Sequence, residues 1–500
     1  HHCGYGQIQK QSSMEHNYLK EGFWARAMDE ELKNPGLFVE QLVYMEDVTN
    51  SLVNSGDKFK DIEAALIEAK ELDNPNLTYK VVPFFNNNQF FLLATIKYND
   101  VRLVGAPPSS IGKFGADTDN WVFPRHTGDF SLFRIYDDNG SAFTPAQHLK
   151  VNIAPRTPGE FTMIFGYPGR TQEYLTAVEM DQLVNVENAR RVEIRDVLLS
   201  IMDAEMRADA AVQLKYASKY ARIANGWKKW IGQIEGVQFS KGIDRKRKLE
   251  AEFTARIAAD ANLWDKYSGL LNEIAVNKTQ IAEGQLKRNE FIETIYYGME
   301  WFSLMSKLQR AKSDVDTDMA LVEFHQNYSR TVSEKTTAAM LSMALETFPD
   351  LLGDMDEATF VAMVHNEIDA LVELATKDQP IDLGIVAPTA NSFNTAAFQG
   401  FYAASPDNAL LQKATELSAE YMRALMEVFA ERNFYPDANS TLRVTYGKLE
   451  GVSHYLLIFI ILKINIKFYI IYYMFIPFLF IVFLFFIFFK QISGFEINNN

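Results

Sequence analysis

The sequence predicts an α+β fold in which a region of antiparallel strands precedes a large helical region. Short runs of β-branched and aromatic residues alternate with turn residues over 77–166, a pattern typical of antiparallel sheets. Amphipathic helical periodicity then dominates 176–434. A further strand pattern at 442–447 follows turn residues at 436–440. We therefore expect β structure to resume after the helices.

The first elements in chain order are two predicted helices, at 7–32 and 57–72. The second begins behind Asp57, whose carboxylate can accept a hydrogen bond at a helix N-terminus, and it places apolar residues three and four positions apart. The strands that follow predict a small antiparallel barrel or sandwich. These predicted strands are 81–85, 90–98, 101–104, 130–136 and 161–165.

The 500 residues have an ordinary soluble composition, with 48% hydrophobic and 23% charged residues. At about 150 residues per domain, this length predicts two or three domains. The 64 acidic residues outnumber the 49 basic ones and give a net charge of −15. We expect no nucleic-acid partner, because phosphates attract basic surfaces. Cys3 is the single cysteine, which excludes an internal disulfide framework.

The apolar tail after Gly451 has two interpretations. Residues 468–489 contain no charged residue, and about 20 apolar residues suffice to cross a bilayer, so the tail predicts a membrane span. Its Phe, Ile, Tyr, Lys, Asn and Leu residues are also those that A/T-rich codons specify, as expected for read-through or a frame error. The lack of Ala and Gly in 468–489 favours the second interpretation. No signal peptide is recognisable at His1 and the residues after it.

Two residues suit a hydrolase in which a carboxylate orients an imidazole. His2 stands before Cys3 and Gly4, and Asp129 enters an apolar strand. Such a carboxylate holds the ring and stabilises the imidazolium that forms during proton transfer. A histidine and a distant aspartate occur in most proteins, so a purely local hydrogen-bonding role for both stays open at this point.

Seven motifs occur in order along the chain. They are HHCGYGQIQ at 1–9, FWA at 23–25, IGKFG at 111–115, DTDNWVFPRHTGDFSLF at 117–133, FGYPGRT at 165–171, YASKY at 216–220 and PDANSTLR at 436–443. Together they resemble the serine dipeptidyl-peptidase family that includes dipeptidyl-peptidases 7 and 11. The resemblance runs from residue 1 to about 450.

The resemblance implies a chymotrypsin-like double β-barrel with a large inserted α-helical domain. The implied organisation is a partial first barrel at 1–178, a helical domain capping the cleft at 179–435, the start of a second barrel at 436–450 and the apolar tail at 451–500. The family removes dipeptides from the free N-termini of peptides, outside the cytoplasm. We therefore expect peptide substrates, a periplasmic or extracellular location and a fragment that lacks both ends of its parent. Homodimerisation stays open.

The resemblance also implies roles for five residues. The family's catalytic histidine falls on His2, and its catalytic aspartate falls on Asp129. The residues that hold the substrate's α-ammonium fall on Asn120, Trp121 and Asn225. An ammonium needs oxygen acceptors, which Asn supplies, and Trp can add a cation–π contact. From the residues alone, Asn120 reads as a turn residue and Trp121 as a core aromatic.

The family's nucleophile lies in a Gly-Asn-Ser-Gly-Ser-Pro motif that this sequence lacks. The nearest match, at Ser55-Gly56, lacks the leading Gly and the trailing Ser-Pro, and it is interpreted as a helix-entry turn. Loss of the serine costs on the order of 10⁶ in turnover. We therefore expect a truncated, inactive serine dipeptidyl peptidase. The alternative is a non-catalytic peptide-binding protein that 468–489 tethers to a membrane.

No cofactor is expected. A metal site is not expected either, because the spacing of the residues nearest the start fits no standard zinc pattern; these residues are His1, His2, Cys3 and His16. His126, with Asp117 or Asp119, is expected to be structural. The loop that they share would position Asn120 and Trp121.

Overall fold

The computed structural model describes residues 4–53, 59–115, 118–123, 125–311, 313–374 and 382–451. The described chain forms two compact units. The first unit contains the residues up to Ala146 and those from Arg170 to Asn439, and the second contains Gln147–Gly169 and the residues that follow Asn439.

Antiparallel strands form three sheets in the described part of the chain. In the first unit, β6 pairs with β1, β2 and β7, and a second sheet has the order β3-β5-β4. In the second unit, β8 pairs with β9. The strands are β1 Phe23–Trp24, β2 Leu32–Lys33, β3 Val39–Asp47, β4 Thr78–Phe84, β5 Gln89–Tyr98, β6 Asp100–Ala106, β7 Leu132–Tyr136, β8 Phe161–Gly166 and β9 Arg443–Lys448.

Helices make up most of the first unit. The short ones near the strands are α1 Tyr5–Lys10, α2 Tyr18–Glu21, α3 Thr49–Leu52, α4 Phe59–Asp73 and α5 Ser109–Gly112. The helical region contains α6 Ala177–Asp181, α7 Asn188–Ala208, α8 Ala210–Ser240, α9 Gly242–Ala258, α10 Ala261–Tyr267, α11 Leu270–Phe291, α12 Glu300–Leu308, α13 Asp314–Gln326, α14 Arg330–Thr347, α15 Glu357–Leu374, α16 Leu383–Val386, α17 Pro388–Ala404 and α18 Asn408–Val428. π-Helical turns at Gln182–Glu187 and Ile292–Tyr296 precede α7 and follow α11.

All of the predicted strands are present, with limits that differ by at most three residues. The strand predicted at 90–98 is β5, and its turn to β4 contains Asn86 and Asn87 with positive φ angles of 52° and 67°. Asn tolerates this left-handed backbone better than most residues. The strand predicted at 442–447 is β9.

The helix predicted over 7–32 is wrong as one continuous helix, because α-helix occurs there only in α1 and α2. The chain there forms β1 and β2, each of two residues, because both pair with β6. β3 was not predicted, and it exists through its pairing with β5. The predicted helix at 57–72 is α4, although its proposed cap, Asp57, lies outside the described residues. The predicted membrane span at 468–489 and the tail at 451–500 lie outside them too, apart from Gly451.

α8 is the longest described helix, with 31 residues, and a side-chain cap stabilises its N-terminus. The Asp209 side chain accepts hydrogen bonds from the backbone N–H groups of Ala211 and Val212 at 2.7 and 3.4 Å, which satisfies donors that a helix start leaves free. The helix ends at Lys241, whose φ is 52°. Inward-facing Tyr216 and Ala224 are fully buried in the main helical core.

A buried ion pair connects α7, α8 and the π-helical turn after α11. Arg195 Nε and Nη2 donate to the Glu293 carboxylate at 2.6 and 3.2 Å, and Nη1 donates to the Ile223 carbonyl at 2.8 Å. The two residues are only 6% and 3% exposed. Gly226 leaves room for the guanidinium, because a Cβ there would overlap with Arg195 Nη1. No described helix combines the length and apolar content needed to cross a bilayer.

We predict that Gly226→Ala lowers the free energy of unfolding by about 1–3 kcal/mol, because the new methyl group displaces a buried, fully bonded guanidinium. Gly236→Ala is the matched control on the same helix, since a Cβ there meets no atom within 4 Å. It should be neutral or stabilise by up to about 1 kcal/mol through helix propensity. Urea unfolding followed by circular dichroism measures both. Equal midpoints for the two variants would contradict the prediction.

His365 should make the helical region sensitive to acid. It is fully buried; its Nδ1 lies 2.7 Å from the Val361 carbonyl and its Nε2 lies 3.0 Å from Ser333 Oγ. Burial lowers the pKa of His365 below its ordinary value of 6.5, and the charges of Glu334, Arg330 and Glu300 act on it more weakly. Below pH 6.5 the His365 imidazole therefore binds a proton in the unfolded chain that it does not bind in the folded chain. This difference in proton binding favours unfolding as the pH falls.

We predict that His365→Gln flattens the loss of stability between pH 7 and pH 5.5. The effect of one titrating group is at most about 1.4 kcal/mol per pH unit. The exposed His325 is the control: His325→Gln should retain the slope of the parent chain. Denaturant unfolding at each pH measures the slopes, and parallel curves for parent and His365→Gln would rule out this role.

Candidate active site

A cavity of about 220 Å³ in the first unit contains two of the predicted site residues, Asp129 and Asn225. We call it the Asn225 cavity. α1, α5 and the loop between α5 and β7 contribute one wall, and α8 contributes the other. Its lining residues are Tyr5, Gly6, Gly112, Lys113, Arg125, Asp129, Ser218, Ala221, Arg222 and Asn225.

Hydrogen bonds bring Asn120, Trp121 and Asn225 together. Asn225 Oδ1 accepts from Asn120 Nδ2 at 3.2 Å and from Trp121 Nε1 at 2.9 Å. The indole N–H can only donate, so it fixes which end of the Asn225 amide faces the loop. That orientation in turn makes Asn120 use its Nδ2 group. Asn120 is 6% exposed, and its Oδ1 has no hydrogen-bond partner among the described residues.

The loop that carries Asn120 is closed by the pair expected to be structural. The Asp119 carboxylate accepts from the His126 backbone N–H at 2.8 Å and lies 2.9 Å from His126 Nδ1. The Gly128 N–H donates to the Ile111 carbonyl at 2.9 Å, which returns the chain to the start of the loop. Asp119 is therefore the aspartate of this pair, while Asp117 lies outside the described residues.

Trp121 has an unusual backbone conformation. Its φ is 60°, which is rare for a bulky residue and costs on the order of 1–3 kcal/mol. Its backbone lies against Gly232 of α8, where an added Cβ would be 3.3 Å from the Trp121 carbonyl oxygen. The side chain is 50% exposed, so Trp121 is not the core aromatic that the residue type alone suggests.

Asp129 follows the same loop and precedes β7. Its side chain is 25% exposed, and one carboxylate oxygen lies 3.8 Å from Arg125 Nη2. Nearby, Gly4 packs closely against Ser131 and Phe133, where a Cβ would meet Ser131 Oγ at 2.9 Å. The predicted catalytic His2 lies outside the described residues.

Positive charge dominates the Asn225 cavity. Lys113, Arg125 and Arg222 line it, whereas Asp129 is the one carboxylate among its lining residues in the described chain. A cation is therefore not attracted by the net charge of these walls. Asn225 is the one asparagine among the lining residues in the described chain, and Asn120 and Trp121, which donate to Asn225 Oδ1, do not line the cavity.

Gln9 is a site-forming residue that sequence reasoning missed. Its Nε2 donates to the Lys215 carbonyl at 3.0 Å, and its Oε1 accepts from the Ser218 N–H at 2.6 Å. These two hydrogen bonds attach α1 to α8 beside the cavity. The signal was present, because Gln9 and Ser218 belong to two of the seven motifs. Arg222 gave no such signal. Among the described residues, no group of three or more His, Cys, Asp or Glu could hold a metal ion.

Comparisons with known proteins show which family the chain belongs to. The family model for peptidase S46 matches residues 1–455. The Asp/Glu-specific dipeptidyl-peptidase of Flavobacterium psychrophilum is 35% identical, over 91% of this chain and 70% of its own length. Dipeptidyl-peptidase 7 of Phocaeicola vulgatus is 32% identical over the same shares. The crystal structure of Porphyromonas endodontalis DPP11 in complex with the dipeptide Arg-Asp superposes with a TM-score of 0.79 at 28% identity, covering 91% of this chain and 72% of that one.

These matches confirm the class of enzyme that the motifs predicted, a serine-type dipeptidyl peptidase, at the level of the family. The chain belongs to the peptidase S46 family. The predicted mixed architecture of helices and small antiparallel sheets is confirmed as well.

Proposed function

We propose that the chain belongs to a machinery that releases dipeptides from peptides, and that it binds the free N-terminus of the substrate. The observation that carries this proposal is the amide arrangement around Asn225 Oδ1. Trp121 Nε1 and Asn120 Nδ2 both donate to it, which leaves Asn120 Oδ1 as an acceptor for the substrate ammonium. The exposed Trp121 ring adds a surface for cation–π contact.

His2 and Asp129 form the catalytic pair in this proposal. His2 acts as general base and acid, and Asp129 holds the imidazole. Support comes from the contact of Gly4 with Ser131. His2 stands two positions before Gly4 in the sequence, and Asp129 stands two positions before Ser131.

The finer architecture is also a proposal. We infer that the strands of the first unit belong to the first barrel of a chymotrypsin-like double β-barrel, that the helices form an inserted domain, and that β9 begins the second barrel. The purely antiparallel pairing and the family membership support this inference. We further infer a periplasmic or extracellular location with peptides as partners, while a homodimer stays a prediction.

Binding of a free N-terminus is tested with the full chain and the dipeptide Ala-Glu, whose acidic side chain suits the cationic walls. We predict that Asn225→Ala weakens binding by about 10-fold or more, as expected when hydrogen bonds to a charged group are lost. Trp121→Phe should weaken it comparably, since Phe keeps the ring and loses the N–H donor. Isothermal titration calorimetry gives the Kd values.

Two controls accompany this experiment. Asn185→Ala removes an exposed asparagine that does not line the Asn225 cavity, and it should leave the Kd unchanged. N-acetyl-Ala-Glu should not bind measurably, because it has no ammonium. Equal affinity for the acetylated peptide, or an unchanged Kd for Asn225→Ala, would overturn the proposed role.

The 500 residues contain no Gly-Asn-Ser-Gly motif, so we predict peptide binding without turnover by this chain alone. The measurement is release of a chromogenic leaving group from a dipeptidyl substrate, and turnover proportional to chain concentration would refute the prediction. The competing proposal, a membrane-tethered peptide-binding protein, rests on 468–489. It predicts that the full chain sediments with membranes and is released only by detergent.

A further inference from the structure

A second cavity in the first unit, of about 460 Å³, lies one helical turn further along α8 than Asn225. We call it the Lys229 cavity. Its walls come from α6, α7, α8, α11 and the π-helical turn Gln182–Glu187, together with the residues just before α6. The volume falls in the range of small-molecule sites, about 300–1,000 Å³. π-Helical turns frequently accompany functional sites.

The lining of the Lys229 cavity carries an excess of positive charge in a chain whose net charge is −15. Four cations and two carboxylates line it within the described chain; they are Arg170, Arg191, Lys229, Lys278, Glu179 and Glu187. The electrostatic character of this cavity is therefore opposite to that of the protein as a whole.

Both carboxylates are already hydrogen-bonded. Glu187 is buried, and it accepts from Lys278 Nζ at 2.9 Å and from Asn289 Nδ2 at 3.2 Å. Glu179 accepts from the Thr176 N–H and hydroxyl at 2.9 and 2.8 Å in a capping box at the start of α6. Lys278 and Glu187 thus neutralise each other, and Glu179 is held at a helix terminus.

The three other cations are compensated less. Arg170 and Lys229 have no hydrogen bond or ion pair to a described residue. Arg191 donates to the side-chain oxygens of Asn188 and Asn289 at 3.3 and 2.5 Å, and it forms a long ion pair with Glu187 at 4.0 Å. Burial lowers the pKa of Lys229, and the charges of Arg170 and Arg191 lower it further.

Arg191 is held in a fixed orientation. Its guanidinium lies over the Trp230 ring at 5.2 Å, and the two asparagines hold part of its donor set. A guanidinium fixed in this way can present its planar edge to two oxygens of one ligand. Lys229 and Arg170, on other walls of the cavity, supply charge to further oxygens.

We propose that the Lys229 cavity is a binding site for a small oxyanion with two or more negative charges, of the phosphate or polycarboxylate class. Arg191 orients the ligand, and Lys229 and Arg170 neutralise it. The site is separate from the amide arrangement at Asn225 and does not depend on the proposed peptidase chemistry.

The test titrates inorganic pyrophosphate, and in a parallel arm citrate, into the full chain at constant ionic strength. We expect saturable binding in calorimetry and a ligand-dependent rise in Tm, because a ligand that binds only the folded state stabilises it. Lys229→Gln should raise the Kd by about 10-fold or more. Whichever of the two anions binds more tightly identifies the ligand class.

Matched variants make the result specific. Lys228→Gln changes the neighbouring lysine on α8, which does not line the cavity, and it should leave the Kd unchanged. Arg170→Gln changes an exposed residue. It provides a second variant for the Kd measurement if Lys229→Gln fails to fold. Asn225→Ala should also bind pyrophosphate normally, which separates this site from peptide binding.

Three outcomes would overturn the proposal. One is the absence of saturable binding of either anion to the parent chain. Another is a Kd that neither Lys229→Gln nor Arg170→Gln changes, which would locate the anion elsewhere. The third is an equal rise in Tm with sodium chloride at matched ionic strength, which would reduce the effect to charge screening.

Discussion

The position of α8 depends on the buried ion pair between Arg195 and Glu293. Placing two charges in a core is unfavourable unless each is fully paired and hydrogen-bonded. Here the guanidinium satisfies that condition with the Glu293 carboxylate and the Ile223 carbonyl, and it lies over the Trp230 ring at 4.3 Å. Another position of α8 would take away the Ile223 carbonyl that accepts from Arg195 Nη1. The glycine at position 226 is required for the same reason.

Both cavities depend on this placement of α8. Asn225 lies two residues beyond the carbonyl that accepts from Arg195, and Lys229 lies one turn later. The residues before β7 meet the same helix through Gln9 of α1, which bonds with Lys215 and Ser218, and through the backbone of Trp121 against Gly232. The position of α8 therefore sets where Asn225 lies relative to the loop that carries Asp129.

The sequence predicted those elements whose formation is local or whose motif is long. α4 and β5 follow from apolar spacing and β-branched content. The resemblance places Asn120, Trp121 and Asn225 in one site, and hydrogen bonds connect these three residues in the structure. β1 and β2 could not be predicted, because two-residue strands exist only through pairing with β6. The Lys229 cavity could not be predicted either, since its cations come from distant segments and share no motif. The roles of His2 and Asp129 stay predictions.

The electrostatics of the Asn225 cavity bear on the proposed binding of a substrate ammonium by neutral amides. Because Lys113, Arg125 and Arg222 line the cavity, its field attracts the acidic parts of a peptide and opposes an ammonium. An amide oxygen binds an ammonium only along its lone-pair directions, so selection by amides depends on orientation more than on charge. Trp121 supplies that orientation, since its N–H can only donate. In the proposed role, the strained backbone at Trp121 is the cost of aiming one indole N–H at Asn225, which leaves Asn120 Oδ1 for the substrate ammonium.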